Sequence, residues 1–353
     1  MPFLYGLLNR IFARMKTETA RQLSQMLAQP RHIVLVPHRN PDGDAMGACL
    51  GMARYLQKTG HQVQVLSPND FPEFLKWMPG AREVSLYEKA PGPARELLEQ
   101  AELIFTLDFN ALDRTGEMEQ ALKQATGQFV LIDHHPEPGD YAAIQYSDVQ
   151  VSSTCELVYN TIEALEGLPH LDAELASCLY AGIMTDTGSF KFASTKPRTL
   201  RVAADLMERG ADHAEIHRLV YDTNRPQRLQ LLGRALGNLR ILQPLRTAFI
   251  TLSQDELDAC DFQKGDTEGF VNYGLSLDGV VLAAIFIEHR AEGIVKISLR
   301  SQGSFDVNAM ARAHFEGGGH RNAAGGRSPQ SLEETVRRFE ALLPSYKNEL
   351  LSA

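Results

Sequence analysis

The sequence predicts an α/β protein built from two domains. Short apolar runs alternate with segments of helical periodicity through about the first two hundred residues, which is typical of a parallel sheet covered by helices. From residue 245 onward the pattern is rich in strands and closes with a helix. A length of 353 residues also exceeds what one hydrophobic core usually accommodates. We therefore expect an N-terminal, mainly parallel-sheet domain followed by a smaller C-terminal α/β domain.

The first domain is expected to span residues 20–200. Its first strand is the apolar run RHIVLVP at 31–37, and the next helix runs from Asp44 to Gly60, where glycine ends the periodicity. A second helix is predicted within 173–190 and leads into a turn that holds Asp186. Three further apolar runs have the length of strands, at 61–68, 102–110 and 127–136.

A basic helical segment at 201–244 is expected to link the two domains. From Lys191 to Arg246 the sequence contains eleven Lys or Arg residues against five Asp or Glu residues. The second domain is expected at 245–350, with the strands RTAFITLS, VVLAAIFIEH and GIVKISLRS. A glycine-rich segment, FEGGGHRNAAGG, and a closing helix from Ser331 to Leu350 follow these strands.

Composition and charge disfavour several classes of protein. The formal net charge of −9 opposes attraction to a long nucleic acid, although cations or a local basic patch would still allow a small anionic substrate. No apolar run reaches the roughly 18 residues of a membrane span, and the opening MPFLYGLLNRIFARMK is interpreted as a short amphipathic helix. Four cysteines without a C-x-x-C pair indicate core thiols in a reducing compartment, so a cytoplasmic location is expected.

Acidic and histidine residues collect where three of the apolar runs end. The runs Ile33–Pro37, Leu103–Leu107 and Phe129–Ile132 each lead into Asp or His residues at the carboxyl end. This is the edge at which open parallel sheets bind ligands. The PDGD turn or the DHH triplet alone would be weak evidence, because both suit ordinary turns. Together the segments supply four carboxylates and two imidazoles, which are His38, Asp42, Asp44, Asp108, His134 and Asp186.

This set of ligands predicts a centre that holds two divalent cations. Four neighbouring carboxylates repel one another and cannot all ionise without added positive charge. One carboxylate is expected to bridge two ions about 3.5–4 Å apart. Mixed carboxylate and imidazole ligation without thiolates favours Mn²⁺, with Mg²⁺, Co²⁺ and Fe²⁺ left open. Because a metal pair of this kind activates a bridging water near neutral pH, the expected reaction is hydrolysis of a phosphoester.

The motifs, in their order, resemble those of the DHH phosphoesterase family. Four of them lie in the first domain: HRNPDGDA, TLDFNALDRTG, the triplet Asp133-His134-His135 and GIMTDTGSF. GGGHRNAAGG resembles the glycine-rich motif of the DHHA1 domain, so the resemblance covers about residues 20–345. Within the family, the layout is similar to the branch that degrades very short RNAs to 5′-mononucleotides. That branch also removes the 3′-phosphate from 3′-phosphoadenosine 5′-phosphate (pAp).

The resemblance implies two metal ions that share one ligand, Asp108. The first ion would be held by His38, Asp42 and Asp108. The second would be held by Asp44, Asp108, His134 and Asp186. His135 would touch the scissile phosphate or the leaving oxygen, and Asp133 would orient the histidines as a partner outside the metal shell.

The second domain is expected to hold the remainder of the substrate. Successive glycines would let backbone N–H groups approach an anion, and a helix beginning near Asn322 would add its N-terminal dipole. A glycine run alone is equally compatible with a tight turn. The candidate residues for binding substrate are Arg300, Ser301, Asn308, Gly317, Gly318, Gly319 and His320.

The expected substrates are therefore short RNA, dinucleotides and pAp. A phosphodiesterase for cyclic or linear dinucleotides, such as c-di-AMP and pApA, is the open alternative, because the chemistry at the metals would be identical. Hydrolysis of polyphosphate is disfavoured by the nucleotide-type glycine motif, and a non-catalytic sensor by the presence of all six ligands. The sequence does not determine the oligomeric state, and a homodimer is compatible with it.

Overall fold

The structure, a computed structural model, describes residues 17–353, so the predicted N-terminal amphipathic helix lies outside the described residues. The chain divides into two compact units after Thr223. Each unit contains one six-stranded sheet with helices, which confirms the predicted α/β class and two-domain organisation. Within residues 17–353, no helix combines the length and the apolar character needed to cross a membrane.

The sheet of the first unit is entirely parallel. Its strands are β1 (His32–Val36), β2 (Gln62–Ser67), β3 (Ser85–Leu86), β4 (Leu103–Leu107), β5 (Gln128–Asp133) and β6 (Ile144–Ser147). They are arranged in the order β3-β2-β1-β4-β5-β6. The sheet therefore grows in one direction from β1 to β2 and in the other from β4 onward. The reversal between β1 and β4 is the switch point at which open α/β sheets bind ligands.

Helices cover both faces of this sheet. Ile33 and Leu35 belong to one apolar cluster and Val34 and Val36 to another, so alternate residues of β1 are buried on opposite faces. The helices of the unit are α1 (Thr17–Met26), α2 (Gly43–Lys58), α3 (Pro91–Gln100), α4 (Glu119–Gln124), α5 (Thr154–Ala164), α6 (Ala173–Asp186), α7 (Pro197–Glu208) and α8 (His213–Tyr221). A 3₁₀ segment, Leu112–Met118, lies between β4 and α4.

Glycines bring α2, α5 and α6 together at short range. A Cβ atom added at Gly43 would lie 2.8 Å from Cγ2 of Thr185, and one added at Gly182 would collide with Sγ of Cys155. The amino end of α2 therefore lies against the carboxyl end of α6. This close approach places Asp44 near Asp186, although the two residues are 142 positions apart in the sequence.

The predicted linker, 201–244, is divided between the two units. α7 and α8 lie in the first unit, where the hydroxyl of Tyr159 donates to Asp205 at 2.7 Å and the guanidinium of Arg209 donates to the carbonyl of Leu168 at 2.8 Å. α9 (Pro226–Gly237) lies in the second unit. Arg209 thus helps to anchor α7, and Arg225, directly before α9, pairs with Asp266 at 2.7 Å.

The second unit has a mixed sheet. Its strands are β7 (Arg240–Leu242), β8 (Thr247–Leu252), β9 (Leu282–His289), β10 (Ile294–Ser301), β11 (Gly318–His320) and β12 (Ala323–Ser328), in the order β11-β12-β10-β9-β8-β7. Of these pairs, β8 and β9 are parallel and the others antiparallel. The core contains the rings of Phe249, Phe286 and Phe339, which meet edge-to-face or tilted with centroids 5.1–6.2 Å apart. The remaining helices are α10 (Gln254–Ala259), α11 (Asn272–Leu275), α12 (Val307–His314), α13 (Leu332–Leu342) and α14 (Lys347–Ser352).

Two details of the second domain were predicted wrongly. The closing helix is interrupted, because Leu343–Tyr346 forms a 3₁₀ turn around Pro344, which cannot donate a helical hydrogen bond. The helix expected near Asn322 is absent, and β12 begins at the next residue. The small residues of β12 fit between two neighbouring strands, where backbone pairing with β10 and β11 replaces helical hydrogen bonds.

Candidate metal centre

The candidate ligands lie at the carboxyl ends of three adjacent strands. His38 follows β1, Asp108 directly follows β4, and Asp133 is the last residue of β5. Because these strands are neighbours in a parallel sheet, their ends share one edge. The sheet thus brings together residues that are about 95 positions apart in the sequence.

The PDGD turn is also the cap of α2. Oδ1 of Asp42 accepts hydrogen bonds from the backbone N–H groups of Asp44 and Ala45, at 3.0 and 3.1 Å. A side-chain cap of this kind fixes the start of a helix. Before the cap, the amide of Asn69 donates to Oδ1 of Asn40 at 2.8 Å, which holds the loop after His38. The turn therefore aims Asp42 and Asp44 from a rigid helix end.

Asp108 lies between the two imidazoles. Its Oδ2 is 3.6 Å from Nε2 of His38, and its Oδ1 is 3.5 Å from Nε2 of His134. Nε2 of His38 is also 3.9 Å from Oδ1 of Asp42. Nε2 of His134 is 3.8 Å from Oδ2 of Asp44 and 3.6 Å from Oδ2 of Asp186. Two groups of potential ligands therefore meet at a single shared carboxylate.

The backbone of Asp108 adopts an unusual conformation. Its φ angle is +68°, in the left-handed region that Asp tolerates better than most residues other than glycine. Its N–H donates to the carbonyl of Ile132 on β5 at 3.2 Å. The residue as a whole is only 2% exposed. Conformations of this kind cluster at functional sites, where the surrounding structure enforces them.

The electrostatics of the cluster favour bound cations. Burial, reinforced by the charge of Asp186, raises the pKa of Asp44 to about 6. Burial and the neighbouring carboxylates also raise the pKa of Asp108 well above its usual value. Burial lowers the pKa of His38 and of His134, so both rings favour the neutral form that binds metals. Neutral imidazoles beside carboxylates that lack compensating charge fit two divalent cations.

The orientation of His38 also fits a metal ligand. Its Nδ1 lies 2.9 Å from the carbonyl oxygen of Arg39 and donates to it, which leaves the lone pair of Nε2 directed at the carboxylates. His134 likewise has a backbone hydrogen bond to Val151. Backbone partners of this type fix the tautomer and the ring angle of histidine ligands.

The third histidine has a different environment. Nδ1 of His135 lies 2.7 Å from Oδ1 of Asp133, which is fully buried at the end of β5. Burial opposes a charge on the ring, but the hydrogen bond and the negative charge of Asp133 outweigh it, so the pKa of His135 is raised. His135 therefore favours the protonated form, in contrast to His38 and His134.

Two residues at the start of α5 were missed by the sequence analysis. The hydroxyl of Thr154 donates to Oδ1 of Asp108 at 2.9 Å. The backbone N–H groups of Thr154 and Cys155 donate to the carboxylate of Asp44 at 2.6 and 2.9 Å. The amino end of a helix thus supports both carboxylates, consistent with its dipole. The sequence signal that could have located this helix end was Ser153, a typical N-cap residue directly before an apolar helix.

The candidates in the second unit lie around β10–β12. Oδ1 of Asn308 accepts the N–H of Gly319 at 2.9 Å, so Asn308 holds the glycine-rich segment. Arg300 and His320 are partly exposed. Ser301 is 7% exposed, and its hydroxyl donates to the carbonyl of Phe305 and accepts from Asn322, so its polar group is already used within the unit.

The glycines of this segment have a packing role. A Cβ at Gly317 would collide with the carbonyl of Gly325, and one at Gly319 would lie 2.9 Å from Cα of Ala324. Gly319 also has a φ of +149°, which side chains disfavour. Gly318 has more room, with Oδ1 of Asn308 at 3.5 Å from the position of a Cβ. The run is therefore needed to pair β11 with β12, whatever ligand it binds.

Comparison with known proteins supports the resemblance to DHH and DHHA1 domains in both units. The model of the DHH family N-terminal domain matches residues 32–183, and that of the DHHA1 domain matches residues 258–347. The chain is 30% identical over 322 residues to the bifunctional oligoribonuclease and PAP phosphatase NrnA of Thermus thermophilus, covering 91% of each protein. It is 28% identical to the cyclic-di-AMP phosphodiesterase GdpP of Geobacillus thermodenitrificans, covering 96% of this chain and 50% of that protein.

A solved structure matches both units as well. The crystal structure of an exopolyphosphatase-related protein from Bacteroides fragilis is 38% identical, with a TM-score of 0.90. The match covers 94% of this chain and 97% of that protein. The chain therefore belongs to the DHH/DHHA1 phosphoesterase family and is a relative of its bifunctional oligoribonuclease and PAP phosphatase members.

Proposed function

We propose that this phosphoesterase uses two Mn²⁺ ions to hydrolyse RNA of a few nucleotides to 5′-mononucleotides and to remove the 3′-phosphate of pAp, giving AMP. The observation that supports it most directly is the position of Asp108 between two ligand clusters. Its two oxygens face different imidazoles, at 3.5 and 3.6 Å. A shared carboxylate is what a two-metal site requires.

His38, Asp42 and Asp108 would hold one ion, and Asp44, Asp108, His134 and Asp186 the other. When bound, the cations would supply Lewis acidity toward the phosphate and activate water for attack on phosphorus. The side chains of Asp42 and Asp186 are 58% and 27% exposed, whereas those of Asp44 and Asp108 are 1% and 3%. Substrate would therefore approach from the side of Asp42 and Asp186.

His135 would act on the substrate rather than on a metal. Asp133 accepts the proton of Nδ1, which fixes the ring and stabilises its charged form. The charged ring would then bind the scissile phosphate or donate the Nε2 proton to the leaving oxygen. Asp133 is thus a positioning residue, comparable to the carboxylates that orient histidines in other hydrolases.

The preference for short substrates rests on the relatives and on charge. The Thermus relative is named as an oligoribonuclease and PAP phosphatase. A net charge of −9 offers little attraction to a long polyanion. In the second unit, Arg300, Asn308, the glycine segment and His320 would hold the remaining nucleotide. The hydroxyl of Ser301 would instead support the fold around them.

Hydrolysis of cyclic di-AMP or its linear product pApA is the second candidate. It is favoured by the similarity to a cyclic-di-AMP phosphodiesterase over 96% of this chain, although the chain spans only half of that relative. The same metal chemistry would serve both activities. The two candidates therefore differ in how the substrate is held, not in the reacting groups.

A side-by-side assay tests these candidates. The Mn²⁺-loaded protein is incubated with pAp, pApA, cyclic di-AMP and polyphosphate, and the products are separated by chromatography. We expect AMP from pApA, and AMP with phosphate from pAp, and no reaction after removal of the metal with a chelator. Faster turnover of cyclic di-AMP than of either linear substrate would favour the second candidate. Hydrolysis of polyphosphate alone, or of none of the four with metal bound, would refute the proposal.

A further inference from the structure

Two exposed arginines flank the metal centre in the first unit. Arg39 directly follows His38, and Arg114 lies in the 3₁₀ segment after Asp108. The N–H of Arg39 donates to the carbonyl of Arg114 at 2.8 Å, so the two loops are joined at these residues. The charge of Arg114 is also close enough to disfavour protonation of both His38 and His135. The two loops that carry these arginines therefore meet beside His38, at the rim of the centre.

The segment around Arg114 is shaped to receive Arg39. Gly116 has φ +61° and ψ −123°, a conformation that side chains rarely adopt. A Cβ at this position would lie 2.8 Å from Cδ of Arg39. Gly116 thus leaves room for the aliphatic stem of Arg39. The loop that carries Arg39 is itself held by the hydrogen bonds between Asn40 and Asn69.

Neither guanidinium has an acidic partner. Among residues 17–353, no carboxylate lies within ion-pair distance of Arg39 or Arg114, and neither side chain makes a hydrogen bond. Two other exposed arginines of the unit do pair with a neighbouring carboxylate, Arg21 with Glu18 and Arg218 with Glu215. Two unpaired cations beside a cluster of carboxylates are available to an external anion.

Charge balance indicates which kind of anion Arg39 and Arg114 would bind. Four ionised carboxylates and two divalent cations cancel, so a loaded centre has little net charge left for phosphates beyond the reacting one. A terminal phosphate monoester carries a charge of about −1.5 to −2 at neutral pH, which matches two arginines. A diester carries a single negative charge and needs less compensation.

We propose that Arg39 and Arg114 form an anion site on the rim of the metal centre that binds a terminal phosphate monoester of the nucleotide substrate, next to the reacting phosphate. This inference rests on the proposed function. It adds to the first unit a site for a phosphate other than the reacting one, whereas the residues expected from the sequence to hold the rest of the substrate all lie in the second. The site would favour short nucleotides that end in a phosphate.

Steady-state kinetics with two dinucleotides test the site. pApA and ApA share the same scissile bond, and only pApA has a terminal phosphate. In Arg39→Met and Arg114→Met, which keep an aliphatic stem, we expect the KM for pApA to rise by about tenfold or more. The KM for ApA and both kcat values should stay within about twofold of wild type. Arg114→Lys should raise the KM for pApA less than Arg114→Met does, because Lys keeps the positive charge.

The matched control is Arg82→Met. Arg82 is exposed and precedes the amino end of the edge strand β3, away from the carboxyl edge of the sheet. Its replacement by Met changes the net charge by the same amount as the other two variants without altering the proposed anion site. The proposal would be overturned if the Arg39 and Arg114 variants raised the KM for pApA and ApA equally, or raised neither. If the wild type turns over neither dinucleotide, the proposed function fails. In that case, equilibrium binding of pApA and ApA still tests whether the two arginines bind the terminal phosphate. The proposal predicts that the two Met variants lose the preference for pApA, and it is wrong if the preference persists or is absent in wild type.

Discussion

Without bound cations, the stability of the first unit should depend strongly on pH, and Asp44 makes a contribution whose size can be worked out. Burial and the charge of Asp186 raise its pKa from 3.8 to about 6. A carboxyl group with a raised folded-state pKa binds its proton more tightly in the folded chain. The metal-free protein is therefore favoured below the unfolded pKa and loses stability as the pH rises from 3.8 to about 6.

The magnitude follows from the shift. One pKa unit corresponds to about 1.4 kcal/mol, so a shift of about two units costs the metal-free protein about 3 kcal/mol above pH 6. For a folding unit of about 200 residues, this loss lowers the melting temperature by roughly 6–12 °C. Cations bound to the ionised carboxylates should remove the loss, because they bind the folded state alone.

The assay is thermal unfolding of chelator-treated protein between about pH 4 and pH 7.5, with and without added Mn²⁺. Asp44→Asn is the matched variant because it cannot ionise. It places an amide near the N–H groups of Thr154 and Cys155, which costs stability at every pH. The difference between wild type and variant should therefore change with pH, while the cost of the amide stays constant. Mn²⁺ should stabilise wild type more at the upper end of the range than at the lower.

Parallel curves for wild type and Asp44→Asn would refute the reasoning, because they would mean that Asp44 does not titrate in this range. An equal response of both proteins to Mn²⁺ would refute the assignment of Asp44 as a ligand. Either result is independent of which nucleotide the enzyme hydrolyses.

Substitutions at Asp108, Gly182 and Thr154 test the centre and its support, with Gly233→Ala and Thr154→Ser as comparison variants. Asp108→Ala should reduce turnover by at least about a hundredfold and reduce the Mn²⁺ bound per chain, since one carboxylate serves both ions; near-normal turnover measured in the same assay would exclude a bridge. Gly182→Ala should lower the free energy of unfolding in urea by about 1–3 kcal/mol, because the new methyl group collides with Cys155. Gly233→Ala on α9, with no atom near its Cβ, should raise that free energy by about 0.5–1 kcal/mol. Thr154→Val should weaken Mn²⁺ binding by about tenfold in calorimetric titration, whereas Thr154→Ser should not; equal effects of both would point to lost packing instead.

The positions of the candidate ligands were predictable because they depend on local pattern and one general rule. An apolar run of strand length ends at a polar residue, and parallel strands present their carboxyl ends at the same edge. His38, Asp108 and Asp133 obey this rule and need no detailed packing to be placed. Asp42 and Asp44 follow from the turn and helix cap after β1.

Other features depend on contacts that a linear pattern does not reveal. Thr154 lies on the helix that follows β6, and its hydrogen bond to Asp108 spans 46 residues. The helix expected at Asn322 was a strand because alanines and glycines have no strong periodicity, and neighbouring strands decided the outcome. Arg39 and Arg114 were overlooked for a similar reason, since exposed arginines are common and only their shared backbone bond joins them.

Sequence alone was sufficient to predict the α/β class, the two-domain order and the chemical types of residue at the candidate metal centre. These properties depend on hydrophobic periodicity and on side-chain chemistry, both of which are local. The tertiary structure decided that Asp108 lies between two imidazoles, that the amino end of α5 supports Asp44, and that α7 and α8 join the first unit. Those results require the sheet order and the close packing of helices at glycine, which arise only when distant segments compete for the same buried space.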